Sequence, residues 1–487
     1  HNPHSESILD MCDQMGLLVM DEFIDEWRVA KDKWIIQRSK SGLPDSLQMG
    51  YSAHFDERAE QDIKHFVRRG YNHPSVILWS IGNEIEWTYP YYWASSLDRK
   101  GYIGLEFTGN PEIDSKNTEA RFAEKSGGKD ELAETAHLLA KWVKEADTTR
   151  PVTAGVVIPS VARISGYTDA LDVVGYNYKD TYYESHHKYY PEKLIFGSEN
   201  VGQYYEWAAV ADKPYIPGIF LWTGIDYMGE NGPYPAKGGT YSLFDFACFK
   251  TPRGEFFETL WNDAPKTYFG TTPAEMSEFK LEGDGSFKTV FRKDPLRKWL
   301  WFELFDRWKY ADGEQIVVQV YTNAPKVELL LNGKSLGIKS RGDFAEENII
   351  LWQIPYSEGE LVAVGVTEDG KEHSRYSLKT SGKVTQLGLD VNKAEKCIEV
   401  TLLDANGTRV VDSDEQITIT LPADSDIYIA GVDNGSDTFV GNHKTNKIVT
   451  YNGRALIVLG SDSKSQRERS TTIQLSSASG IKQSVEL

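Results

Sequence analysis

The sequence predicts an α/β protein in which a parallel β-sheet with outer helices is followed by two β-sandwiches. Up to about residue 265, short apolar runs alternate with amphipathic helical patterns, which implies a parallel sheet covered by helices. From about residue 274, period-two runs and turn signals take over, and this spacing over about 100 residues is typical of an immunoglobulin-like sandwich. We therefore expect three domains, over residues 1–268, 274–380 and 384–487.

Six apolar runs of strand length lie in the first of these domains, with helical patterns between them. The runs are Leu17–Met20, Val76–Trp79, Val152–Val157, Leu171–Gly175, Leu194–Phe196 and Ile219–Trp222. Residues at helical spacing mark two of the helices: Ile63, Phe66 and Val67 in one, and Leu132, Ala136, Leu139, Ala140 and Val143 in the other. Polar, glycine-rich or aromatic sequence follows each run, as expected where the C-terminal ends of parallel strands form a site.

The all-β part of the sequence contains several tight-turn signals. Asn332-Gly333 follows the apolar run Val327–Leu331 and predicts a β-hairpin. Thr380–Lys383 is interpreted as a linker, and a second all-β unit starts near Val384. Its turn signals are Asp404–Gly407, Val432–Gly435 and Tyr451–Gly453.

Composition excludes some classes of partner and leaves others open. The formal net charge of -19 argues against nucleic acid or anionic lipid as partners. No apolar run reaches the length of about 18 residues that a transmembrane helix needs. Cys12, Cys248 and Cys397 have neither the number nor the spacing of a disulfide framework or a zinc site. The 13 Trp and 26 Tyr suit the faces of sugars, but large cores and β-domains use them equally.

Two of the predicted strands run into a glutamate, at Glu84 and at Glu199. A carboxyl at the end of a buried strand is partly removed from water, and desolvation raises the pKa of such a group, which suits a general acid near neutral pH. A retaining glycosidase uses two carboxyls about 5–5.5 Å apart, one as acid/base and one as nucleophile. A single strand-end glutamate is more often an ordinary polar residue, but the pair favours glycoside hydrolysis.

The chain resembles the catalytic and C-terminal parts of glycoside hydrolase family 2, the β-galactosidase and β-glucuronidase family. Its most specific segment, Asn72–Glu84, resembles the acid/base signature of that family. The other segments that carry the resemblance are His1–Pro3, Leu9–Asp13, Gly16–Glu22, Asp172–Tyr178, Gly197–Glu199 and Gly218–Tyr227. The later β-domains resemble those of β-galactosidase-like members from polysaccharide-degrading bacteria, so the similarity covers essentially the whole chain.

The resemblance implies a (β/α)8 TIM barrel with Glu84 as acid/base and Glu199 as nucleophile. Asn83 would hold the sugar 2-hydroxyl. Tyr178 would hydrogen-bond the nucleophile, with a core tyrosine as the alternative. Trp222 would form a sugar platform, or else belong to the barrel core. No cofactor is required for this chemistry.

Three further positions are weaker candidates for substrate contacts. His1 would touch substrate hydroxyls. His54 lies just before a predicted helix, where a surface or capping role is the more common alternative. Asp21 ends its strand together with Glu22, and the two could line the pocket or equally be paired structural carboxylates.

Two departures from the family pattern lead to further expectations. Some members hold magnesium beside the acid/base through a glutamate and a histidine. The corresponding segment here is Asp25–Arg28, and Arg28 cannot ligate a metal, so we predict no metal there. The chain also starts at His1, just after the position of barrel strand two. We therefore expect at most six barrel strands, with an open side near family strands three and eight.

These features predict a retaining exo-β-glycosidase that hydrolyses terminal β-galactosides of oligo- or polysaccharides. β-Glucuronidase is the closest alternative, but it would need a basic or amide cluster for the substrate carboxylate, and no Asn-Lys-Gly motif occurs. β-Mannosidase, β-xylosidase and a non-catalytic carbohydrate-binding fragment remain open. We expect a carbohydrate partner, no nucleic acid and no membrane insertion. The sequence is compatible with a homo-oligomer and leaves the cellular location open.

Overall fold

A computed structural model of the chain describes residues 2–31, 50–89, 92, 111–126, 130–229, 237–238, 242–289, 303–344, 348–423, 425–439, 441–461 and 471–486. The chain divides into two compact units, His1–Trp222 and Thr223–Leu487. No helix within the described ranges has the length and apolar character needed to cross a membrane.

The first unit is built around a parallel sheet whose six strands lie side by side in chain order. The strands are β1 (Val19–Glu22), β2 (Val76–Asn83), β3 (Val152–Val156), β4 (Val174–Asn177), β5 (Ile195–Asn200) and β6 (Ile219–Leu221). Each predicted apolar run overlaps one of them. Within the described residues β1 and β6 are the edges of this sheet, so the prediction of six barrel strands with an open side is confirmed.

Helices connect these strands and pack against the sheet. They are α1 (Glu6–Met15), α2 (Phe55–Gly70), α3 (Pro111–Ser126), α4 (Glu131–Ala146), α5 (Pro159–Ile164), α6 (Tyr183–His187) and α7 (Tyr204–Ala208), with 3-10 turns at Gly50–His54, Ile85–Thr88, Thr168–Ala170 and Asp180–Tyr182. The predicted apolar faces of α2 and α4 are buried. Trp79 of β2 shows how the layers join: its ring packs against Phe66 of α2, and its indole N–H donates to Asp147 at 3.0 Å. Burial of these apolar faces is the main stabilising term for the layers.

The second unit begins at Thr223, and its helix α8 (Pro252–Trp261) is followed by antiparallel sheets. Its strands are β7 (Thr267–Pro273), β8 (Phe279–Leu281), β9 (Phe287–Thr289), β10 (Gln315–Thr322), β11 (Lys326–Leu331), β12 (Lys334–Ser340), β13 (Ile350–Pro355), β14 (Glu360–Val366), β15 (Glu372–Lys379), β16 (Gln386–Asn392), β17 (Cys397–Leu403), β18 (Gln416–Thr420), β19 (Ile427–Asp433), β20 (Lys447–Val449), β21 (Arg454–Ser461), β22 (Thr472–Ser477) and β23 (Lys482–Glu486), with a 3-10 turn at Arg341–Phe344.

Two pairs of these sheets each enclose an apolar core. Sheet β13-β10-β7 faces sheet β12-β11-β14-β15, and sheet β16-β17-β21-β19 faces sheet β20-β18-β22-β23. Strands β11 and β12 pair in antiparallel register around Asn332-Gly333, so the predicted hairpin is confirmed. The two sandwiches expected after the parallel sheet are therefore present.

Candidate active site

Polar side chains gather where β2, β4 and β5 end. Glu84 follows β2 directly, and its backbone N–H donates to the carbonyl of Gly155 in β3 at 2.8 Å. Glu199 is the second-last residue of β5. Both side chains are half-buried, so each carboxyl is partly withdrawn from water while keeping access to a ligand.

Two consecutive residues at the end of β4 contact the two glutamates. The Asn177 amide nitrogen donates to Glu84 Oε1 at 3.2 Å, and the Tyr178 hydroxyl donates to Glu199 Oε2 at 2.5 Å. Both carboxyls therefore lie near the end of β4, and the charges of both act on Tyr178. Burial, and then the charges of Glu199 and Glu84, raise the pKa of Tyr178 well above its ordinary value, so its hydroxyl keeps the proton that it donates.

The second oxygen of Glu84 also accepts a hydrogen bond. Trp87, in the 3-10 turn that follows, donates its indole N–H to Glu84 Oε2 at 2.9 Å. Both Glu84 and Tyr178 have left-handed backbones, with φ of 46° and 57°. This conformation is uncommon for residues other than glycine and is often found at functional sites.

Buried amides and a hydroxyl extend this network inward. The Asn177 nitrogen also donates to Asn83 Oδ1 at 2.8 Å, and the Ser198 hydroxyl donates to Asn177 Oδ1 at 2.7 Å. Asn83 in turn donates to Asp25 Oδ1 at 3.3 Å. A Cβ atom on Gly155 would lie 2.7 Å from Asn83 Oδ1 and 2.9 Å from Asn177 Oδ1, so the two amides can meet only because this residue is glycine.

Glu86 is a fully buried carboxyl two residues after Glu84. Its Oε1 accepts the backbone N–H groups of Val157 and Ile158 at 2.8 and 3.1 Å, while Oε2 has no hydrogen-bond partner within the described residues. Burial raises the pKa of Glu86 to about 7, aided by the charge of Glu84 and opposed by the backbone donors. The group therefore ties the turn after β2 to the loop after β3 and changes its charge near neutral pH.

Trp222 follows β6 and is half-buried. Its backbone N–H donates to the carbonyl of Asn200 at 2.8 Å, which places it beside the end of β5. Its suggested role as a sugar platform stays a prediction.

Asp21 and Glu22 lie on opposite faces of β1, as alternation along a strand requires. Asp21 is fully buried near the end of α2, where it accepts from the backbone and ring of His4 at 3.0 and 2.7 Å. Glu22 accepts from the Ser80 hydroxyl at 2.6 Å. These contacts favour the structural alternative for Asp21 over a place in the pocket.

The remaining predicted contacts are less well supported. His54 is exposed at the start of α2 and makes no capping hydrogen bond through its side chain. His1 lies outside the described residues. Arg28, considered in the sequence analysis as a departure from the family's metal site, donates to Asp56 at 2.6 Å and to Thr135 at 2.5 Å.

The sequence interpretation assigned no role to Asn177, Ser198, Trp87 or Glu86. For Asn177 a signal existed, because an amide at the end of a strand repeats the pattern of Asn83. No such signal exists for Trp87 or Glu86, since their contacts depend on the turn that follows the left-handed Glu84.

Comparison with known proteins agrees with this geometry. The family model described as "Glycosyl hydrolases family 2, TIM barrel domain" matches residues 1–100, and "Glycoside hydrolase family 2 C-terminal domain 5" matches residues 388–485. A domain of unknown function, DUF4982, matches residues 313–374. These matches support a member of glycoside hydrolase family 2. Its parallel sheet thus corresponds to six strands of a TIM barrel.

Two relatives align with the whole chain, and a third aligns with part of it. Beta-galactosidase BoGH2A of Bacteroides ovatus is 27% identical over 100% of this chain and 56% of its own length. The crystal structure of a family 2 member from Bacteroides cellulosilyticus has a TM-score of 0.77 at 28% identity and covers 100% of this chain and 57% of that one. A protein of Formosa agariphila named "Putative beta-glucuronidase" is 28% identical over 81% of this chain and 35% of its own length. The chain thus spans little more than half of the first two relatives.

Proposed function

We propose that this chain carries the catalytic site of a retaining β-glycosidase that removes terminal β-galactosyl groups from oligo- or polysaccharides. Glu199 is the nucleophile and Glu84 the acid/base. The observation that carries the proposal is the contact of consecutive residues, Asn177 and Tyr178, with the two carboxyls. A double displacement needs two carboxyls in one pocket, and this contact supports that arrangement.

In the first step, the Glu199 carboxylate attacks the anomeric carbon and the bond to the leaving oxygen breaks. Glu84 gives its proton to that oxygen, and a glycosyl ester forms on Glu199. The Tyr178 hydroxyl holds Glu199 Oε2 and so orients the carboxylate for the attack. Asn83 is the candidate for holding the sugar 2-hydroxyl.

In the second step, water attacks the same carbon and Glu84 takes its proton. The ester bond to Glu199 breaks, and the sugar leaves with the configuration it had in the substrate. The indole N–H of Trp87 donates to Glu84 Oε2 and helps to hold the carboxyl in place for this step.

The galactoside is the favoured substrate because a protein named as a β-galactosidase aligns with the whole chain. A β-glucuronide is the second candidate, since a protein named as a β-glucuronidase aligns with 81% of the chain at 28% identity.

A panel of aryl β-glycosides on the purified chain tests the proposal. We expect turnover of the galactoside, with β-galactose as the first product by proton NMR. The variants Glu84→Gln and Glu199→Gln serve as controls and should both lose turnover of a phenyl glycoside. Faster hydrolysis of the glucuronide would replace the proposed galactoside specificity by a glucuronide specificity and leave the proposed mechanism unchanged. A first product of α configuration, or no turnover of any glycoside, would refute the proposed function.

A further inference from the structure

We propose that Asn177 is a positioning residue that holds the carboxyl of Glu84 in line for proton transfer, and that Ser198 fixes the direction in which the Asn177 amide points. This inference rests on the proposed function. It adds a chain of hydrogen bonds from Ser198 through Asn177 to Glu84, which we call the relay and which joins β5 to the acid/base. Neither residue needs to touch the substrate for the relay to operate.

The hydrogen bonds allow only one orientation of the Asn177 amide. Its nitrogen faces two acceptors, Asn83 Oδ1 at 2.8 Å and Glu84 Oε1 at 3.2 Å, while its oxygen faces the Ser198 hydroxyl at 2.7 Å. In the flipped orientation the Asn177 oxygen would oppose a carbonyl oxygen and a carboxylate oxygen, which repel it. The two hydrogens of the NH₂ group therefore serve Asn83 and Glu84 together.

The packing around this relay leaves little room for another arrangement. Asn177 is fully buried, and Ser198 is 5% exposed. A Cβ atom on Gly175 would lie 2.8 Å from Ser198 Oγ, just as one on Gly155 would crowd the two amides. Hydrogen bonds that are shielded from water in this way are stronger and more directional than exposed ones.

Asn177 and Trp87 together fix the plane of the Glu84 carboxyl, because each donates to a different oxygen. The left-handed backbone of Glu84 aims the side chain, and the two donors limit its rotation. A displacement of about 1 Å in such a group can cost about 100-fold in rate. Loss of Asn177 should therefore impair proton transfer more than nucleophilic attack.

Leaving-group dependence separates these two effects. Asn177→Ala, Ser198→Ala and the double variant are compared with wild type on a phenyl and on a 2,4-dinitrophenyl glycoside of the sugar that wild type hydrolyses fastest. The dinitrophenolate leaves without protonation, so its release does not need an aligned acid. For Asn177→Ala we expect kcat/KM to fall roughly 10–100-fold on the phenyl glycoside and less than about threefold on the dinitrophenyl one.

Ser198→Ala should give a smaller loss with the same leaving-group dependence, because the amide stays but becomes free to turn. The double variant should match Asn177→Ala alone, since Ser198 acts through Asn177. Asn434→Ala is the matched control. It removes a buried amide that donates to the carbonyl of Val449 in the second unit. It should leave kcat/KM unchanged on both the phenyl and the dinitrophenyl glycoside.

Equal losses on both substrates in a folded Asn177→Ala variant, or additive losses in the double variant, would overturn the positioning role while leaving the proposed function intact. A wild-type chain that hydrolyses neither substrate would overturn both. If Asn177→Ala fails to fold, the leaving-group ratio of Ser198→Ala decides, and an unchanged ratio overturns the proposal.

Discussion

Two left-handed asparagines in turns of the second unit can be compared with two left-handed residues at the candidate site of the first unit. In the second unit, Asn332 and Asn452 have φ of 53° and 51°, and each precedes a glycine in a tight turn between antiparallel strands. In the first unit, Glu84 and Tyr178 have φ of 46° and 57°, and each directly follows a parallel strand.

The difference lies in how much the residue type resists the conformation. Asn tolerates the left-handed region, whereas most other non-glycine residues lose about 1–2 kcal/mol there. At Glu84 and Tyr178 neighbouring strands oppose that cost, because each backbone N–H donates across the sheet, to Gly155 and to Glu199 at 2.8 and 2.7 Å. The turns thus use a left-handed backbone to reverse the chain, and the site uses it to aim two side chains.

The largest expected effect is a pH dependence of the free energy of unfolding, which Glu86 in the site should cause and the turns at Asn332 and Asn452 should not. The pKa of Glu86 rises from 4.5 to about 7 on folding, so between these values the folded chain holds a proton that the unfolded chain has released. The free energy of unfolding should therefore fall as pH rises through this window, by roughly 3 kcal/mol for this group. Urea unfolding of wild type and Glu86→Gln from pH 4.5 to 8 measures the difference.

Glu86→Gln cannot titrate, so the wild-type-minus-variant difference isolates this group from the other carboxyls that titrate nearby. Asp404, in a turn of the second unit, is the opposite case. The backbone N–H groups around it lower its pKa, so its contribution is lost as pH falls below about 3.8 rather than as pH rises. Parallel pH profiles for wild type and Glu86→Gln would contradict the account of Glu86.

Tyr178→Phe tests whether the second left-handed residue serves catalysis. The substitution removes a hydrogen bond to a charged group, so kcat/KM on an aryl glycoside should fall about 10–100-fold while the urea midpoint changes little. Tyr190→Phe is the matched control, since its buried hydroxyl bonds Thr168 at 2.6 Å, and the control should lose some stability and keep its activity. The reverse pattern would make Tyr178 a core residue.

Gly333→Ala tests the turns and has the smallest expected effect. Gly333 has φ of 76° and open space around its Cα, so the added methyl group costs about 1 kcal/mol through the backbone alone and should leave activity unchanged. Gly283→Ala also meets open space but lacks a positive φ, and it should shift the free energy of unfolding by less than about 0.5 kcal/mol. Equal shifts in the two variants would remove the backbone explanation.

Local patterns in the sequence predicted the elements that local physics controls. The six strands, the helix faces and the Asn332-Gly333 hairpin follow from hydrophobic period and turn chemistry. The strand ends also indicated Glu84 and Glu199, because a glutamate after a buried apolar run is visible in one dimension.

Contacts between distant segments could not be predicted in the same way. Ser198 is 21 residues from Asn177, and Asn177 is 93 residues from Glu84, so their relay exists only once β2, β4 and β5 are aligned. Asp21 and Glu22 are another example, because neighbouring residues of a strand point to opposite faces of the sheet. Asp21 contacts His4 on one face and Glu22 contacts Ser80 on the other, and the sequence does not say which face borders the pocket. Burial of Glu86 likewise depends on the loop after β3, which no pattern around Glu86 reveals.

The covalent intermediate tests the central claim most directly. A 2,4-dinitrophenyl 2-deoxy-2-fluoro-β-glycoside should trap the enzyme, because fluorine at C2 slows both steps while the dinitrophenolate leaving group keeps the first step fast enough for the glycosyl-enzyme to accumulate. Mass spectrometry of the intact chain should then give the mass of one fluoroglycosyl group, and peptide sequencing should locate it on Glu199. A label on any other residue, or steady turnover of aryl glycosides with no label at all, would contradict the double displacement proposed here.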